Sequence, residues 1–396
     1  MNYAFSNRIS SLQPSAIREI LKFTSDPAVI PFAAGNPSPE AFPAQAIQEI
    51  TSKILSEKPI EALQYGVTEG YAPLRGKIRE LMKERYQTGR DFDNLILTAG
   101  AQQVMDLTTK AFCNEGDAII CECPSFIGSL NCFRSYLGNL VGIDVESDGM
   151  NIQMLEKALQ ENKNVKFIYT IPNFQNPSGV TMSLEKRRAV YELAKKYGVL
   201  ILEDNPYGDL RVDGESLPNI KSFDEDGIVI YAGTFSKILS PGLRVGYAIA
   251  PETIIAKLTV GKQSADVHTP VLNQMIVYEW LNNYDLDEHL HFLQDLYRKK
   301  LNLMCDLIES ELPSSITYNR PQGGLFVWCK LPDGVDMSAF CKTAVLNKVA
   351  VVPGNAFMMH DDDPTQCFRM NFSTPTDEGI IKGMKLLAET AKSFIK

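Results

Sequence analysis

The sequence has little with which to build a metal centre. Its four histidines form no HxxxH pair, and none of the eight cysteines, at 113, 121, 123, 132, 305, 329, 341 and 367, stands in a CxxC. That excludes the usual zinc spacings and leaves reduced thiols in a cytoplasmic core as the expectation. A basic excess is missing too: 39 Lys and Arg stand against 48 Asp and Glu, for a net charge of −9. With no patch to neutralise phosphates, nucleic acid is not an expected partner. Residues 1–20 hold no apolar leader core, and no run elsewhere approaches the roughly 20 apolar residues of a membrane span. A membrane partner is therefore not expected either.

What is present is a long α/β pattern. A chain of 396 residues exceeds what one core usually supports. From 94 to 250 it alternates apolar runs with helical stretches: "NLILT" (94–98), "AIICE" (118–122), "LVGIDV" (140–145), "KFIYTI" (166–171), "VLILE" (199–203), "IVIYA" (228–232) and "VGYAIA" (245–250). Near-continuous apolar strands between helices such as "SLEKRRAVYELAKKYG" predict a mostly parallel, seven-stranded sheet covered on both faces. The interval 233–244 is short for a crossover helix, so the last strand is expected to run antiparallel. Past residue 280 the pattern changes. "DEHLHFLQDLYRKKLNLMCDLIESEL" reads as one long amphipathic helix, and "GGLFVWCKL", "VAVVPGNAF" and "CFRMNFS" as strands of a smaller α+β unit. The expected units are a large domain at 43–283, a small one at 284–396, and a segment at 1–42 packing with the small one. Within that segment, 13–23 reads as a short helix.

In open α/β sheets, ligands lie beyond the carboxyl ends of the strands. Just past those ends the sequence places Gly100-Ala101-Gln102, then Phe126, Asn176, Asp204 with Tyr207, and Thr234, Ser236 and Lys237, with Arg244 following. Singly, each has a bland reading. A lone lysine after a strand is usually solvated, and "EDNPYG" is rich in turn formers. Jointly, they fit one cofactor, pyridoxal phosphate. Lys237 can condense with its aldehyde, and Asp204 can pair with the pyridine nitrogen. Tyr207 and Asn176 can donate to the ring oxygen, while Phe126 can stack on the ring. The amides of Ala101 and Gln102 open a helix and suit a phosphate, with Thr234, Ser236 and Arg244 adding hydroxyl and guanidinium contacts.

These residues, with "IREIL", "GNPSPEAFP", "LQYGVTEGYAPLR", "TAGAQQ", "NFQNPSG", "EDNPYG", "SKILSPGLRVG", "GGLFVW" and "FRMNFS" in that order, resemble the class I/II aminotransferases over nearly the whole chain. The closest branch holds the 2-aminoadipate and kynurenine aminotransferases. Phe126 and Thr234 depart from it where tyrosine or tryptophan, and serine, are frequent. The resemblance implies the fold type I architecture of pyridoxal-phosphate-dependent transferases and a homodimer in which Tyr65 reaches the neighbouring subunit's phosphate. It implies that Arg369, Asn176 and Gly35 meet the substrate. The activity it implies is ping-pong transamination through a Lys237 Schiff base, between an L-amino acid (2-aminoadipate, aromatic or aliphatic) and 2-oxoglutarate. Arg18 can meet a distal carboxylate in that branch, and can equally be a solvated helix residue. A lyase or decarboxylase on the same scaffold is the alternative activity. A cofactor-sensing regulatory module is a further one, but the resemblance starts near residue 8, with no DNA-binding module expected before it.

Overall fold

The computed structural model describes residues 3–10, 12, 26–360 and 362–395. The seven apolar runs form strands β1 (Asp93–Thr98), β2 (Ala118–Cys123), β3 (Asn139–Glu146), β5 (Val165–Thr170), β6 (Leu200–Asp204), β7 (Val229–Thr234) and β8 (Gly246–Pro251). With a further short strand, β4 (Gly149–Met150), they build one sheet in the order β1-β8-β7-β6-β5-β2-β3-β4. Neighbours from β3 through β2, β5 and β6 to β7 run parallel. Their central residues, among them Ile119, Ile168 and Ile201, are fully buried, as a sheet covered on both faces requires. β8 runs against both β7 and β1. The chain between β7 and β8 holds only a tight turn with a short 3-10 helix, Pro241–Leu243, which leaves no length for a parallel return.

The sheet has one strand more than the seven expected. β4 (Gly149–Met150) forms a two-residue hairpin arm on β3. It is too short to carry a pattern, and its signal is the glycine. Gly149 has φ 118°, and a Cβ there would stand 2.7 Å from the Met182 side chain.

Helix starts and stops follow local chemistry. Helix α1 (Ala101–Phe112) follows β1 across Gly100, and α2 (Ile127–Ser135) follows Phe126. In α3 (Leu184–Tyr197) the Ser183 hydroxyl accepts from the Lys186 amide, and Gly198 ends the helix in the left-handed conformation. The 26-residue α4 (Leu286–Glu311) is capped by Asp285, whose carboxylate accepts from the amides of Asp287 and Glu288. No described helix is long and apolar enough to cross a membrane.

The second sheet is antiparallel, in the order β11-β12-β10-β9, from β9 (Thr317–Tyr318), β10 (Phe326–Lys330), β11 (Val352–Pro353) and β12 (Cys367–Asn371). It packs with α4 and the C-terminal helix α5 (Asp377–Phe394). The chain at 30–36 is strapped to it. Ile30 bridges Val349, Asn371 donates its amide to the Phe32 carbonyl, and the Ser373 and Thr374 hydroxyls donate to the Asn36 carbonyl. The expected helix at 13–23, and Arg18 with it, lies outside the described residues.

A close backbone approach joins β8 to the start of α1. A Cβ on Gly246 would lie 2.7 Å from the Gly100 carbonyl carbon and 2.8 Å from the Ala101 nitrogen. Both neighbours are backbone, so neither can rotate away. Gly246→Ala is expected to lower stability by about 1–3 kcal/mol through overpacking, read as a lower urea midpoint at unchanged slope. An unmoved midpoint would show that the two segments can part freely.

Candidate active site

The strand ends converge on a cleft of about 320 Å³. Its wall includes Gly35, Ala101, Gln102, Phe126, Asn176, Asp204, Tyr207, Thr234, Ser236, Lys237, Arg244 and Arg369. The described residues expected at the site therefore share one cavity, except Tyr65. That tyrosine is 80% exposed and touches the His268 ring edge-on at 5.7 Å, outside the cleft of its own chain.

One end of the cleft is an anion cup. Helix α1 opens there with no side chain capping its first amides, so their dipoles and N–H groups face the cavity. Gly100 makes the entry at φ 78°, and a Cβ on it would fall 2.4 Å from an Arg244 nitrogen. Arg244 itself is left-handed, at φ 53°, which turns its guanidinium back across Gly100. There it donates to the Ala99 carbonyl at 2.7 Å and to the Ser236 hydroxyl at 3.5 Å. The Thr234 hydroxyl donates to Ser236 at 2.9 Å. Two hydroxyls, a guanidinium and uncapped helix amides are a donor set for a phosphate.

The middle holds the titrating groups. Lys237 donates from Nζ to the Gly35 carbonyl at 2.9 Å. Burial lowers its pKa to about 8; the charges of Arg369 and Arg244 push the same way, and Asp204 opposes them. Asp204 ends β6 and is 4% exposed. Its Oδ2 accepts from the Tyr169 hydroxyl at 2.8 Å, while Oδ1 is buried without a partner among the described residues. Burial raises its pKa to about 7, against the Tyr169 bond and the Lys237 charge. Tyr207 is buried edge-on against Phe326, and that burial pushes its phenol up, so the group keeps its proton and can donate.

At the far end lies Arg369, on β12 and 2% exposed. Its Nη1 donates to Asn176 Oδ1 at 2.8 Å and Nη2 to the Ala33 carbonyl at 3.0 Å. Its guanidinium carbon lies 4.1 Å from the Phe326 ring centre and 4.9 Å from that of Phe357. Among the described residues no acid pairs with it, and its Nε is buried without a partner. Burial lowers its pKa to about 10, still charged at neutral pH. A buried guanidinium without a counter-ion is costly, and a planar carboxylate is the anion its fork matches.

Two residues here escape the strand-end reading. Tyr169, inside "KFIYTI", counts in sequence as one more core aromatic, and its hydroxyl touches Asp204 only because β5 and β6 are neighbours. Glu122 ends "AIICE" and is buried; its carboxylate accepts from the Thr170 hydroxyl and the Ile171 amide at 2.9 Å each. The signal for it is an acid closing an otherwise apolar run.

The residues present fit pyridoxal phosphate: a phosphate cup, an idle buried carboxylate oxygen for a pyridinium, an amine held partly neutral, and a phenol able to donate. Comparison with known proteins agrees. The family model "Aminotransferase class I and II" matches residues 27–385. An aromatic-amino-acid aminotransferase of Thermococcus litoralis is 42% identical over 396 residues, covering 99% of this chain and 95% of that protein. A 2-aminoadipate transaminase of Thermus thermophilus is 36% identical over 395 residues, covering 99% and 97%. The crystal structure of a multiple substrate aminotransferase from Thermococcus profundus superposes with a TM-score of 0.94 at 39% identity, covering 99% of this chain and 98% of that one. The chain belongs to the class I and II aminotransferases and is a pyridoxal-phosphate-dependent enzyme.

Proposed function

We propose that the enzyme transaminates between an L-amino acid of broad side-chain type (2-aminoadipate, aromatic or aliphatic) and 2-oxoglutarate, in two half-reactions that use the same cleft. The observation that carries this reading is the pairing of Lys237 with the counter-ion-free Arg369 in one cavity. An amine that titrates near neutrality faces a guanidinium built for a carboxylate, and every amino acid and 2-oxo acid has that carboxylate. The names of the similar proteins support the donor range, and the acceptor rests on resemblance.

When bound, pyridoxal phosphate supplies the aldehyde and the electron-accepting ring. The chain's residues do the rest. The cup of Ala101, Gln102, Thr234, Ser236 and Arg244 holds the phosphate. Asp204 offers its idle Oδ1 to the ring nitrogen's proton. Arg369 occupies the oxygen of the Asn176 amide, which leaves Nδ2 of Asn176 to join Tyr207 as donor to the ring oxygen. Phe126 covers the ring. Arg369 fixes the substrate carboxylate and so orients the Cα–H bond. Lys237 would remove that proton from Cα, and its lowered pKa keeps a neutral fraction available for the task.

We further propose a homodimer with shared sites, in which Tyr65 serves the second copy's phosphate. Ile60, Leu63, Tyr65 and Val67 are 76%, 71%, 80% and 62% exposed on the single chain. Such an apolar surface suits burial against another copy.

The defining assay supplies a panel of L-amino acids with 2-oxoglutarate. Glutamate is expected as product; carbon dioxide, ammonia or pyruvate in its place would indicate a lyase or decarboxylase. Borohydride reduction should fix the cofactor on Lys237 by mass mapping, and Lys237→Ala should abolish turnover. Only the neutral amine attacks an aldehyde, so cofactor capture by the cofactor-free protein should rise about tenfold per pH unit up to about pH 8 and level above it. Arg369→Leu removes a charge that opposes protonation of Lys237, so its levelling point should move to higher pH; an unmoved point counts against that coupling.

Two variants address the substrate and the second copy. Arg369→Lys should weaken all donors alike by about 2–5 kcal/mol in kcat/KM, since an ammonium cannot reproduce the fork. A loss confined to one donor class would place Arg369 at the side chain. Mixing inactive Tyr65→Ala and Lys237→Ala subunits should restore part of the activity in hybrids, and no recovery despite demonstrated subunit exchange would reject shared sites.

A further inference from the structure

Among the described residues the carboxylate of Asp204 has a single donor, the Tyr169 hydroxyl at 2.8 Å. Tyr169 comes from β5, the neighbouring strand, and is fully buried. Its hydroxyl is directed as well as placed. The Ser129 hydroxyl donates to the Tyr169 oxygen at 2.8 Å, so the tyrosine's own proton points to Asp204. The ring is braced edge-on by Phe133 at 5.2 Å. The two residues after it, Thr170 and Ile171, are clamped by the buried Glu122 across β2. Hydroxyl, phenol and carboxylate form a one-way relay that starts on the cleft wall, at Ser129, and ends at the acid.

A carboxylate and a pyridine nitrogen that share a proton leave it on the more basic partner. Desolvation makes a carboxylate more basic, and a donor to its charged form makes it less so. A donor behind Asp204 therefore pushes the shared proton toward the ring. We propose that Tyr169 is a positioning residue that decides which partner of the Asp204–ring nitrogen pair holds the proton, with Ser129 fixing the direction of its hydroxyl. This rests on the assignment of Asp204 to the ring nitrogen. Burial works against that assignment, lifting Asp204 to about 7 even against the bond from Tyr169, which is the largest influence opposing it. None of the motifs that carry the family resemblance singles out Tyr169.

The test uses holoenzyme loaded with cofactor labelled with nitrogen-15 at the ring position, comparing wild type, Tyr169→Phe, Ser129→Ala and Asp204→Asn near neutral pH. The wild-type resonance is expected at the pyridinium position. Tyr169→Phe should move it toward neutral pyridine and lower kcat about tenfold, while donor KM changes less than about twofold. Ser129→Ala should move it the same way by less. A resonance that stays put in Asp204→Asn removes the pairing assignment on which the proposal stands. One that moves in Asp204→Asn but not in folded Tyr169→Phe overturns the role of Tyr169 and leaves the assignment intact. If Tyr169→Phe does not fold, Ser129→Ala decides alone, and an unmoved resonance there overturns the proposal.

Discussion

The site depends on a backbone-to-backbone contact between two glycines. β8 inserts between β7 and β1 and runs against both, and it can do so only where Gly246 lies flat on Gly100. That insertion folds the turn carrying Ser236, Lys237 and Arg244 back over the entry of α1. Thr234, Ser236, Lys237 and Arg244 thus belong to the β7–β8 hairpin, and the pairing of β8 with β1 brings the entry of α1, with Ala101 and Gln102, against them, so their spacing is set by sheet register. Side chains could relax around a substitution. A backbone pressed on a backbone cannot.

The second organising feature is an imbalance of charge. Lys237, Arg244 and Arg369 face a cleft whose acid is Asp204. Burying Arg369 without an acidic partner among the described residues costs stability, and the folded protein carries that cost. The return is a cavity already polarised in favour of anions, with Arg244 at one end and Arg369 at the other. The same field acts on Lys237: burial does most to lower its pKa, and its arginine neighbours push it further the same way.

Much of this was legible in the sequence, for a physical reason. Parallel strands end at one rim, so residues that follow apolar runs must meet, and Asp204, Lys237 and Asn176 could be placed there from spacing alone. The antiparallel turn of β8 followed from a loop too short for a crossover. What escaped shares a different cause. Tyr169 lies within a strand rather than after it, and its contact with Asp204 depends on which strands are neighbours, which local pattern does not encode. β4 is two residues long and has no periodicity to read. Tyr65 was named by resemblance, and nothing in its own chain's geometry assigns it a partner.

The helix α4 holds both halves of the cleft. Near its start His289 donates to the carbonyl of Ile238, the residue after Lys237, at 2.6 Å; further on, Lys300 donates to the Pro375 carbonyl, just beyond the strand that bears Arg369, at 2.8 Å. These anchors lie about 16 Å apart along a helix that rises about 1.5 Å per residue. A tilt of about 5° at one anchor would shift the other by about 1.4 Å, enough to break a hydrogen bond. The turn that carries Lys237 and the end of the strand that carries Arg369 are therefore joined by one stiff lever, so a shift of the small sheet is felt as a displacement beside Lys237.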